Sequence, residues 1–144
     1  MVMREEKMMK IILSVIPILF LLNPVSGYYI GYEYGLNKTL INEVLSEVPE
    51  EYFNGLTNIY FTTAQVRFRG QGSGEGVFEF WDCGKTRITI GMFDNMSRDR
   101  FKFVLLHELG HLHELMGKEK WYEVYMLSED YANDFAYKNW ESRR

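Results

Sequence analysis

Apolar residues at positions 40, 41, 44, 45 and 48 (Leu40, Ile41, Val44, Leu45, Val48) form one stripe of a 3.6-residue repeat, which predicts a helix over 37–48. Asn37 is placed to cap it and Pro49 to stop it. The pattern then changes. Residues 58–68 are β-rich, with Ile59, Phe61, Val66 and Phe68 among Tyr60, Thr62 and Thr63. Residues 77–81 and 86–92 read as two more strands, joined by a tight turn at Asp82-Cys83-Gly84-Lys85. Residues 70–76 (GQGSGEG) read as a flexible loop. No Lys-Ser/Thr follows them and a strand comes next, which argues against a phosphate cradle. The helical repeat returns over 98–116, with Ser97 as cap, Asp99 in the first turn and Gly117 just past the end. A last helical region covers 121–141, and Ser128 can cap a separate helix within it. The order α-β-β-β-α-α predicts an α+β domain: a small three-stranded sheet with an N-terminal helix, a long central helix and a C-terminal helix.

The N-terminal pattern is different. Residues 11–22 (IILSVIPILFLL) carry no charge, follow Arg4, Lys7 and Lys10, and precede Asn23-Pro24-Val25-Ser26-Gly27. A basic start, a short apolar stretch and a small-residue end are the layout of a secretory signal. Twelve helical residues cover about 18 Å, short of a hydrocarbon core of roughly 30 Å. Extension to Ile30 makes a retained anchor the rival, with Tyr28, Tyr29, Tyr32 and Tyr34 placed as an interfacial aromatic belt would be. The same tyrosines can instead pack on the folded domain. Residues 1–27 are therefore expected to be a signal peptide or membrane anchor and 28–144 a single exported domain, secreted or membrane-tethered through 11–30.

Composition narrows the chemistry. The 144 residues are 47% hydrophobic and 25% charged, as in a globular chain. The basic residues are scattered and the net charge is −4, so nucleic acid is not an expected partner. One cysteine rules out an internal disulfide framework and any metal site built from several thiolates. No pattern in the sequence sets an oligomeric state.

Two of the three histidines stand in His107-Glu108-Leu109-Gly110-His111, inside the predicted 98–116 helix. Histidines at i and i+4 project from one face, a turn apart, and two neutral imidazoles so placed can share a Zn²⁺. A bound cation makes water acidic near neutral pH, and the Glu108 carboxylate can take up that proton. Phe101, Val104, Leu105, Leu109, Leu112 and Met116 predict a buried helix, in which two histidines and a glutamate are costly without a partner.

A catalytic zinc needs a third protein ligand and an open position. The metzincin pattern requires a glycine and a histidine where this chain has Glu114 and Gly117, so that class is excluded. His113 lies about 200° around the helix from His111 and cannot share the metal. Cys83 lies upstream, but Trp81-Asp82-Cys83-Gly84 does not resemble the ligating segment of peptide deformylases, and a plain hairpin cysteine is expected. In the last helix Glu129, Ala132, Asn133 and Ala136 share a face. The alanines permit close approach to another helix, Glu129 is favoured as third ligand, and Asn133 can orient a ligating histidine. Asp130 and Asp134 are the alternatives.

HELGH at 107–111 followed by SEDYANDFA at 128–136 resembles the gluzincin metallopeptidases. Over about residues 37–141, the short length and element order look like the minigluzincins, single-domain members of that clan. The resemblance implies a zinc endopeptidase acting on peptide or protein substrates, with His107, His111 and Glu129 as ligands and Glu108 as general base and acid. It implies a strand along the cleft, for which 77–81 is the candidate, and a latent form in which a terminal segment fills the cleft. Tyr122, Tyr125 and Tyr131 are candidates for stabilising the oxyanion. The alternative is a non-hydrolytic zinc-binding or membrane-tethered interaction module, against which Glu108 argues, because a structural site needs no base.

Overall fold

A computed structural model describes residues 27–67, 73–119 and 126–143. The segment expected to be a signal or anchor therefore lies outside the described residues up to position 26, as do Phe68, the first three residues of the glycine-rich stretch (70–72), and Trp121, Tyr122 and Tyr125. Among the described residues no helix is long and apolar enough to cross a membrane.

The chain is α+β. Helix α1 (Lys38–Glu47) starts at Asn37, whose side chain accepts from the Leu40 N–H, and buries Ile41, Val44 and Leu45. Helix α2 (Arg98–Met116) starts at Ser97, which accepts from the Arg100 N–H. Helix α3 (Glu129–Lys138) starts at Ser128, which accepts from the Tyr131 N–H. Each cap satisfies a backbone donor that the first turn leaves free. The last helix is shorter than the predicted 121–141: residues 126–128 are not helical, and Ser128 opens α3.

The sheet differs from the three-stranded expectation. It has four strands in the order β1 (Tyr29–Tyr32), β2 (Asn58–Thr62), β6 (Thr86–Gly91), β5 (Gly76–Phe80). β1 runs parallel to β2 and β2 parallel to β6, whereas β5 and β6 form the predicted antiparallel hairpin. The extra strand comes from the tyrosine cluster, which joins the sheet through a β1–α1–β2 crossover. The β-rich stretch 58–68 divides into β2 and a short β3 (Val66–Arg67). β3 pairs with β4 (Ser73–Gly74), so part of the glycine-rich stretch is ordered as a small ribbon.

One face of the sheet packs on α2. Ile59, Phe61, Ile88 and Ile90 are fully buried there with Phe101, Leu105, Leu109 and Leu112, and Phe61 meets Phe101 edge to face at 5.8 Å. Leu106 and Leu115 are buried as well, so apolar burial extends round more of α2 than the predicted stripe.

Helix α3 packs against α2 at Gly110, where no room is left for a side chain. A Cβ on Gly110 would stand 2.8 Å from Ala132 Cα and 3.0 Å from Phe135 Cβ. Gly110→Ala should therefore be destabilising, with an overpacking cost of about 1–3 kcal/mol set against a helix-propensity gain of about 1 kcal/mol. Gly117 is the control. It sits at φ −78 in the right-handed region with only ordinary contacts around a Cβ, so Gly117→Ala should raise stability by about 0.4–1 kcal/mol. Thermal melts of the two variants check both signs.

Candidate metal centre

The α2–α3 contact brings three potential ligands together. His107 Nε2 lies 3.0 Å from Glu129 Oε2, and His111 Nε2 lies 3.1 Å from Glu129 Oε1. Among the described residues these three side chains form the group of His, Cys, Asp and Glu that can hold a metal ion. Tetrahedral zinc ligands at about 2.0–2.1 Å from the metal stand about 3.3 Å from one another, near the two histidine–glutamate spacings, and one ligand atom from each of the three residues lies within 4.8 Å of the others. Two histidines and one carboxylate are also a donor set that leaves a zinc coordination position open. The histidines are largely buried while the Glu129 side chain is 74% exposed, so the cluster opens to solvent on the α3 side.

The histidines are held differently. His107 Nδ1–H donates to Asn133 Oδ1 at 2.8 Å, which leaves the Nε2 lone pair facing the cluster. Asn133 thus stands one turn after Glu129 and orients the ring. His111 Nδ1 is buried without a hydrogen-bond partner among the described residues. Its ring is fixed by packing: against Phe78 of β5 at 6.4 Å and edge-on to His107 at 4.9 Å. Burial holds the His111 pKa below its usual value, against the opposing pull of Glu129, and so favours the neutral ligating form.

Glu108 is buried beside the cluster and takes no part in it. Burial, with the Glu129 carboxylate as a second cause, pushes its pKa up to about 8 in the metal-free chain. The space it occupies depends on Gly76 at the start of β5. A Cβ there would lie 2.7 Å from Glu108 Oε1 and 2.8 Å from Val104. Sequence reading passed over Gly76 as part of a flexible loop, and its signal was a glycine inside a strand, where a neighbour approaches closely. Gly76→Ala should displace the Glu108 carboxylate and leave His107, His111 and Glu129 in place. Zinc affinity should then hold while any hydrolysis falls, which metal content and turnover on one preparation will check.

The other candidates fall elsewhere. Asp130 and Asp134 are not in the cluster, and Cys83 is free and exposed in the β5–β6 turn. His113 is exposed on another side of α2, where its Nδ1 meets the Tyr131 hydroxyl at 2.5 Å. That contact occupies the hydroxyl of Tyr131, while Tyr122 and Tyr125 lie outside the described residues. Glu114, which stands where another class would need glycine, accepts from the Ser128 N–H at 3.0 Å and so ties the end of α2 to the start of the glutamate-bearing helix.

Compared with protein-family models, with curated proteins and with solved structures, the chain gives no match in any of the three.

Proposed function

We propose that the chain is a zinc-dependent endopeptidase of the gluzincin, and specifically minigluzincin, type that works outside the cytoplasmic membrane. The observation that carries the reading is the meeting of His107, His111 and Glu129 from two helices, with Glu108 buried next to them but outside the ligand set. Zinc, when bound, supplies Lewis acidity toward a carbonyl oxygen and lowers the pKa of water. The chain does the rest. Glu108 takes a proton from the attacking water on its carboxylate and delivers it to the departing amine nitrogen. Asn133 keeps His107 in the ligating tautomer. β5, an outer strand of the sheet beside the cluster, offers main-chain groups to an extended peptide, a mode that tolerates many side chains.

The test is cleavage of denatured casein by the purified chain with and without a chelator, with the products mapped. Internal cuts that cease with chelator are expected. Cleavage indifferent to chelator, or a protein that takes up no zinc, contradicts the proposal. Export is a separate expectation, resting on the uncharged run at 11–22. In an expressing cell the product should lie outside the cytoplasmic membrane, shortened by about 27 residues or membrane-bound at full length. A soluble, full-length cytoplasmic product contradicts it.

A further inference from the structure

We propose that His113 and Glu114, polar residues that closely follow HELGH on α2, are positioning residues for Glu129: they hold the first turn of α3 so that the Glu129 carboxylate meets His107 and His111. The need for such a hold follows from where Glu129 stands. It is the first residue of α3, and the first four N–H groups of a helix have no partner within it. Residues 128–131 are all exposed, and Ala132, seated on Gly110, is the first buried residue of the helix. Apolar packing therefore takes hold of α3 only after the turn that carries Glu129. The Glu129 side chain is itself mostly exposed, so its own surroundings do not fix it.

Two side chains of α2 reach that turn. Positions 113 and 114 are the i+3 and i+4 neighbours of Gly110, one turn beyond the point where α3 is seated. Glu114 Oε2 accepts from the Ser128 N–H at 3.0 Å, and the Ser128 hydroxyl accepts in turn from the Tyr131 N–H at 3.1 Å. His113 Nδ1 lies 2.5 Å from the Tyr131 hydroxyl, and the imidazole stacks on the Tyr131 ring at 6.1 Å. The same imidazole packs on Phe135, one turn further along α3, at 5.1 Å. The residue before Glu129 and the residue two after it are thus both bound to α2. Glu114 makes the stronger tie, because a charged acceptor roughly doubles the strength of a hydrogen bond. Neither residue belongs to the His107/His111/Glu129 cluster, so each acts on a metal through α3. The Glu114 charge could also favour a nearby cation without positioning anything, and the test separates the two effects. The inference rests on the reading of the cluster as a zinc centre.

The test measures Zn²⁺ affinity of the full-length chain by competition with a coloured chelator, well below the melting temperature of each variant. Glu114→Ala should weaken zinc about 10-fold, the lower end of the range for loss of an orienting partner. Glu114→Gln keeps a carbonyl acceptor for the Ser128 N–H without the charge, and should retain most of the affinity. Tyr131→Phe keeps the ring that His113 stacks on and loses only the hydroxyl, and should weaken zinc several-fold. In a Glu129→Ala background all three changes should leave the residual zinc affinity where it was, because their effect travels through Glu129. Glu114→Ala that binds zinc as tightly as wild type overturns the proposal, and a lowered melting temperature alone then marks a purely structural tie. A loss equally large in Glu114→Gln, or one that persists without Glu129, also overturns it, as the mark of charge alone. A wild-type chain that takes up no zinc contradicts the metal centre itself, and the inference with it.

Discussion

Glu108→Gln should bind one zinc per chain and hydrolyse peptides at least about 10²-fold more slowly, the scale expected for loss of a positioned general base. The side chain is buried beside the His107/His111/Glu129 cluster without belonging to it, so metal binding rests on other groups. Glutamine has the same size, fits the space left by Gly76, and cannot accept the proton. Stability should move the other way. In the metal-free chain burial raises the Glu108 pKa from 4.5 to about 8, so the protonated form is the one the fold prefers. That contribution is fully present below about pH 4.5 and is lost as the pH rises through about 8. The glutamine variant lacks this loss, and metal-free wild type should destabilise relative to it between those limits. Zinc content, turnover and melts at several pH values on paired preparations check all three. A non-hydrolytic zinc module has no turnover to lose, and Glu108→Gln would then leave every assay but the melts unchanged.

Glu129→Ala should weaken zinc binding by more than the 10- to 100-fold expected when an orienting partner is lost, and Asn133→Ala should fall within that smaller range. The difference follows from position: Glu129 carboxylate oxygens stand 3.0 and 3.1 Å from the two histidines, whereas Asn133 touches only the far nitrogen of His107. Glu129 is mostly exposed, so in the absence of zinc its removal should change stability by no more than about 0.5 kcal/mol. Cys83→Ser should leave zinc affinity where it was. Competition with a coloured chelator measures all three variants. Metal lost from Cys83→Ser and kept by Glu129→Ala contradicts the proposed ligand set.

The parts of this structure that sequence made legible are those whose signal is local. Asn37, Ser97 and Ser128 were readable as caps because a cap is one side chain bonded to the backbone three residues on. The cluster was readable because helical spacing puts His107 beside His111, and because Glu129, Ala132, Asn133 and Ala136 fall on one face of their own helix. β1 was not, because a strand of four residues carries little periodic signal and its partner lies beyond a whole helix. Next to an apolar run, the alternation of inward Tyr28 and Tyr32 with outward Tyr29 was equally well read as an aromatic belt. The roles of Gly76 and Gly110 were hidden for a related reason. Each is defined by an atom from a distant part of the chain, Glu108 Oε1 for one and Ala132 Cα for the other. Within HELGH the glycine is thus a packing requirement of the helix that carries Glu129.

Titration of the metal-free chain with Zn²⁺, read as hydrolysis of an unstructured peptide, tests the central claim most directly. It is run on the full-length protein and on protein trimmed at its termini by limited proteolysis, so that a segment covering the cleft is removed in one arm. The account predicts turnover that rises linearly in at least one arm, breaks at one zinc per chain, and is absent from Glu129→Ala at the same zinc concentration. Turnover in neither arm at saturating zinc, or turnover already present before zinc is added, would contradict it.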